Sequence, residues 1–118
     1  LNGSISSMGS DGNRNMYLST SSGEIWKNNG TGAYTKVTTT GSVTGTVNLM
    51  VGNNGYMYFV TTTNQLWGNY NGGSFSLISV GYTGNISQVS GSGGYIYFVT
   101  STNQVWENLN GGSFNQLQ

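Results

Sequence analysis

The chain has 118 residues, no Cys, His or Pro, and six charged side chains that sum to zero net charge. Those absences remove disulfides, zinc and haem sites, thiol or imidazole catalysis, and the basic stripe that nucleic-acid binding needs. Gly, Asn, Ser and Thr make up 66 residues, while fifteen aromatics keep the chain above the disorder threshold and a single Ala argues against helix.

In chain order, Leu1 stands where an initiator Met would, and reads as the product of cleavage or as a chosen boundary. With Lys and Glu scarce, a secreted, extracellular protein is expected. Asn2, Asn29 and Asn85 begin Asn-x-Ser/Thr triplets and are candidate N-glycosylation sites. The first repeat, 1–42, carries Met16-Tyr17-Leu18, then Ile25-Trp26, then Tyr34 and Val37. The second, 43–81, repeats that order with Met57-Tyr58-Phe59, Leu66-Trp67, Phe75 and Ile78. The third, 82–118, follows so closely that Gly45–Ile78 aligns without gaps on Gly84–Leu117, with 18 of 34 positions identical. The Trp residues are 41 and 39 apart, and one extra residue in the first repeat falls in a turn near Asp11–Asn15.

Each repeat divides into four short strands. In the third they are expected at Asn85–Ser90, Tyr95–Thr100, Gln104–Leu109 and Ser113–Leu117, separated by Gly- and Asn-rich turns that tolerate positive φ. The second strand is apolar on both faces, as in a sheet covered on both sides. The longest apolar runs, Tyr56–Val60 and Tyr95–Val99, have five residues and are far short of a membrane span. The pattern predicts an all-β propeller of three blades. Three blades cannot close a ring. Either two chains close a six-bladed ring or the chain is a three-blade piece of a longer one; a homodimer with six blades is expected, and an open contact between chains would give a fibre or surface layer.

With its aromatic-rich, charge-poor blades, the chain resembles the small β-propeller lectins of bacteria and fungi. It is also similar to tectonin-type repeats in its Glu24-Ile25-Trp26, Gln65-Leu66-Trp67 and Gln104-Val105-Trp106 units. The resemblance implies a secreted, multivalent lectin with glycans as partners. Fucose-binding members use an Arg, a Glu and an aromatic in each site, whereas Arg14 and Glu24 occur only in the first repeat.

Sugar recognition needs a ring to stack on C–H faces and planar amides for hydroxyls. Gln65 and Trp67 share a strand face by the two-residue period, with Asn64 in the adjoining turn. Asn103, Gln104 and Trp106 repeat this, Glu24 and Trp26 are its first-repeat version, and Asn69 and Asn108 extend the face. The alternative is that each Trp packs between blades. Asp11, Glu24 and Glu107 are the only carboxylates, and none recurs at its aligned position, so no enzyme activity and no cofactor are expected. Asp11 is also the only carboxylate in an Asn-rich turn, so no metal site is expected. With six charged groups and no His, little titrates between pH 5 and 8, so assembly and ligand binding should be nearly flat across that window.

Overall fold

The computed structural model describes residues 1–118 as twelve strands in three four-stranded antiparallel sheets. Blade 1 contains β1 (Ile5–Ser10), β2 (Met16–Thr20), β3 (Ile25–Asn28) and β4 (Thr35–Lys36). Blade 2 contains β5 (Val47–Asn53), β6 (Tyr56–Thr61), β7 (Leu66–Tyr70) and β8 (Ser76–Ile78). Blade 3 contains β9 (Ile86–Ser92), β10 (Tyr95–Thr100), β11 (Val105–Leu109) and β12 (Asn115–Gln116). Every strand pairs with its sequence neighbour, and β1, β5 and β9 lie side by side. Such sheets, fanned around their first strands, are the blades of a β-propeller.

The strand limits follow local chemistry. Left-handed Asn64 and Asn103 (φ 67° and 66°) end the turns before β7 and β11. Gln65 and Gln104 then stay outside the strands, because their N–H groups bond the hydroxyls of Thr61 and Thr100 at 3.1 and 3.2 Å. The extra residue of the first repeat is in the β1–β2 turn: Gly9 pairs with Tyr17 where Val51 pairs with Tyr58 and Ser90 with Tyr97. Each first strand carries a register shift near its start, after Ile5, Val47 and Ile86.

The two-sided second strand divides its residues between two junctions. Met57 and Phe59 face blade 1, in a core with Tyr17, Ile25, Val47, Trp67 and Phe75. Tyr58 and Val60 face blade 3, in a core with Leu66, Ile86, Ile96, Phe98 and Trp106. A blade therefore has a leading face, turned to the blade before it, and a trailing face, turned to the blade after it. Blade 1's leading face and blade 3's trailing face meet no further blade within the chain.

At the junction of blades 1 and 2 the backbones come very close. A Cβ on Gly52 would stand 2.1 Å from the Ser10 carbonyl oxygen and 2.8 Å from the Asp11 Cα, so only Gly fits there.

Candidate functional site

The Glu/Gln-x-Trp unit, expected to bind sugar, is a clasp inside each blade. The two-residue spacing does put both side chains on one face, and there they bond each other. Trp67 Nε1 donates to Gln65 Oε1 at 3.1 Å, and the same oxygen accepts from the Thr44 N–H at 2.9 Å. Trp106 and the Thr83 N–H donate to Gln104 Oε1 in the same way, at 3.1 and 2.8 Å. In blade 1, Glu24 Oε1 accepts from Trp26 Nε1 at 3.0 Å and from the Asn2 N–H at 2.8 Å. Each clasp ties the segment entering the blade to its third strand.

This geometry corrects several expected sugar contacts. Trp67 is 1 % exposed and stacked on Phe59, so it has no face for a ligand. Gln65 and Gln104 spend their acceptors on the clasps. Asn64 holds the next blade, with its Oδ1 accepting from the Ile86 N–H at 2.8 Å and its Nδ2 donating to the Gly84 carbonyl at 3.0 Å. Asn69 is buried between blades and donates to the Tyr17 hydroxyl at 3.0 Å and the Gly73 carbonyl at 2.9 Å. Asn108 repeats the arrangement with Tyr58 and Gly112, at 2.8 and 3.1 Å. Burial pushes the Tyr17 and Tyr58 phenols above their ordinary range, and the Asn donors oppose the shift without cancelling it. Trp26 is half-buried on the outward leading face, and Asn103 is exposed, its N–H donating to the Thr100 carbonyl at 3.0 Å while its side chain makes no hydrogen bond. Asn2, Asn29 and Asn85 are all exposed.

Two of the three carboxylates, Asp11 and Glu24, have structural surroundings. Asp11 is buried and accepts from the Asn13 N–H at 2.8 Å and the Asn15 side-chain amide at 2.9 Å, which shapes the β1–β2 turn. The backbone N–H of Asn2 and the Trp26 indole hold the Glu24 carboxyl below the usual glutamate range, with Lys36 at 3.7 Å adding a little. A carboxyl with a lowered folded-state pKa stabilises the fold above its unfolded value and loses that contribution as pH falls through the folded value. Acidification below about pH 4 is therefore expected to open the blade 1 clasp and shift Trp26 emission. Glu24→Gln supplies the neutral acceptor that blades 2 and 3 use, and should remove this acid step. An acid titration of fluorescence in both proteins checks it; an unchanged step in the variant would place its origin elsewhere.

What remains for a ligand is a cleft between blades 2 and 3, which sequence reasoning did not find. The linker from Val37 to Val47 is two residues longer than its counterpart from Ile78 to Ile86. At the first junction the longer linker folds back onto blade 2. There the Phe75 N–H donates to the Thr38 carbonyl at 3.0 Å, and the Thr40 N–H donates to the Phe75 carbonyl at 2.9 Å. The shorter linker makes no such bonds to Phe114. The gap is a cleft of about 390 Å³ with Tyr58, Ile78, Val80, Trp106 and Phe114 as apolar wall and Ser79, Ser113 and Asn108 as polar wall. Asn108 Oδ1 is buried and has no hydrogen-bond partner. No charged side chain lines the cleft. Of the residues expected at a sugar site, this cleft brings together Trp106, 9 % exposed, and Asn108.

A larger opening of about 680 Å³ lies between blades 1 and 2, lined by Asn2, Glu24, Lys36, Thr39 and Ser42 among others. It exists where Gly23 and Val43 replace the bulkier Asn64 and Tyr82 of the next blade. Its one carboxylate is already committed to the clasp and to Lys36.

No protein-family model matches the chain, and no curated protein matches it in sequence. Its fold is similar to that of human WBSCR16 (TM-score 0.76, 12 % identity), covering 100 % of this chain and 39 % of that one. It is also similar to YCF48 in its complex with a D1 peptide (TM-score 0.72, 14 % identity), covering 98 % of this chain and 39 % of that one. A third similar structure is the complex of Kap60 with yeast RCC1 (Prp20) (TM-score 0.62, 6 % identity), covering 87 % of this chain and 31 % of the matched one. These neighbours are β-propellers, and the chain spans well under half the length of each. At such identities the likeness is one of fold.

Proposed function

We propose that this chain is a non-catalytic carbohydrate-binding propeller segment that takes an uncharged saccharide in the cleft between blades 2 and 3. The observation that carries the reading is the lining of that cleft: apolar rings and neutral polar groups together, with no charge. A saccharide presents the same mixture, C–H faces beside hydroxyls. The cleft volume is near the lower end for ligand sites and suits one or two sugar rings. The Asn- and Thr-rich, charge-poor surface fits work outside the cell.

Titration with neutral mono- and disaccharides, read by tryptophan emission and calorimetry, tests the proposal. At least one sugar is expected to saturate the signal. Ser113 is exposed at the rim, so Ser113→Tyr should fill the cleft and abolish binding while leaving the urea midpoint unchanged. Silence with every sugar of a glycan array would overturn the reading.

A further inference from the structure

We propose that the cleft between blades 2 and 3 is the deep end of a longer groove that runs past Gly111 to Tyr70, and that its ligand is a linear, neutral oligosaccharide. The inference rests on the saccharide reading of the cleft and adds the class of saccharide.

A shallow depression of about 180 Å³ adjoins the cleft. The two share Tyr58, Ile78 and Gly111 as common wall, while Tyr56 and Tyr70 line only the shallow one. Strand register shows how they join. Tyr58 pairs with Gly68 and Tyr56 with Tyr70, one two-residue step further along the same face of the sheet. That step adds about 7 Å to the groove, room for a further sugar ring.

The shallow end is built from rings. The centroids of Tyr56 and Tyr70 are 4.5 Å apart, with the rings tilted by 38°. The Gly111 backbone presses on Tyr56 so closely that a Cβ there would stand 2.1 Å from its ring. Tyr56 is thus packed in place, whereas Tyr70 beside it is 54 % exposed. A flat ring, braced by a second one and open to solvent, offers a stacking surface for the C–H face of a sugar.

The junction of blades 1 and 2 shows how the same groove is shut. Lys27 lies opposite Tyr17 as Gly68 lies opposite Tyr58, and its ammonium reaches across to the Gly72 carbonyl. Asn15 and Asn29 hold the positions of Tyr56 and Tyr70. Three differences between the repeats, all at one edge, therefore exchange a polar closure for an aromatic opening. Gly111 is the blade 3 counterpart of Gly72. It is exposed, and with Gly68 in place of the lysine its carbonyl takes no donor from the chain. A sugar hydroxyl can donate there.

The turns that carry this platform are tied down. Asn54 Nδ2 donates to Asn110 Oδ1 at 2.7 Å across the junction of blades 2 and 3. The N–H groups of Asn71 and Asn110 donate to the Gly55 and Gly94 carbonyls, each at 2.8 Å, which fixes the turns beside Tyr70 and Gly111. A groove ordered in advance leaves only the sugar to be ordered on binding. No charged side chain lines either part, which matches a neutral chain of sugars over an acidic or basic one.

Calorimetric titration with linear gluco-, xylo- and manno-oligosaccharides, from disaccharide to hexasaccharide, tests the proposal. In at least one series the hexasaccharide should bind at least about fivefold tighter than the disaccharide. Tyr70→Ala should bring the two within about twofold of each other with the urea midpoint in place, and Tyr70→Trp should keep the preference for length. In the parent protein the Tyr70 ring protons should shift in NMR spectra with the hexasaccharide and stay in place with the disaccharide. Equal affinity at every length, or a length preference that survives Tyr70→Ala, would overturn the longer groove and leave the cleft reading standing. Absence of binding in every series would overturn both.

Discussion

Trp67→Ala is expected to cost about 3–5 kcal/mol, enough to unfold a chain of this size or leave it marginal. The indole is 1 % exposed, lies in the core between blades 1 and 2, and stacks with Phe59. Its removal leaves a cavity walled by two blades, which neither can fill without shifting the other. It also strips the clasp of its indole donor, leaving Gln65 Oε1 bonded to the Thr44 N–H alone. Leu77→Ala supplies the contrast. Leu77 pairs with Trp67 across the strands but is exposed on β8, so its loss should stay within about 1 kcal/mol. Urea unfolding of both variants decides. Similar midpoints for the two would mean that the blade junction does not hold the fold together.

Gly52→Val should destabilise by about 3 kcal/mol, through collision. A side chain there would meet the Ser10 carbonyl oxygen and the Asp11 Cα, both backbone atoms of the neighbouring blade, together with the Met57 sulfur. Methionine can swing aside; a backbone cannot, so β1 and β5 would be forced apart. Gly81→Val is the matched control, since a Cβ there meets nothing within 4 Å. Circular dichroism melts in which both variants lose the same stability would show that the close approach at Gly52 carries no strain.

The repeat made the fold legible. A gapless match of four strands, with Tyr58 and Phe59 both apolar on adjacent positions, requires a sheet covered on both sides, and the two junction cores divide those residues accordingly. Strand ends were less legible. β9 begins at Ile86 and runs to Ser92, β11 begins at Val105, and β12 shrinks to Asn115–Gln116, because side-chain hydroxyls and the chain end take over some ladder bonds. The candidate site was legible only in part. Spacing correctly put Gln65 beside Trp67, but it could not say whether that face looked outward or into a neighbour. The difference in linker length was present in the sequence, yet its effect depends on Thr38–Thr40 pairing with Phe75, a contact between segments that no local pattern encodes. Glu24 and Trp26 read as a degraded copy of a sugar site. They are an intact clasp in which a carboxylate replaces the amide.

The clasps also bear on how the chain reaches its fold. Glu24 meets Asn2 across 22 residues, while Gln65 meets Thr44 and Gln104 meets Thr83 across 21. Each bond closes a short loop inside its own blade, so loop-closure entropy is small and no blade waits for a distant strand. Folding can then start in any one blade and propagate to its neighbour, with cooperativity carried by the nearest-neighbour terms Asn69–Tyr17 and Asn108–Tyr58. Such a unit closes itself locally, while its apolar faces are buried only against a neighbouring blade. It can also be duplicated in one genetic step, because each copy brings its own closure and half of the next interface.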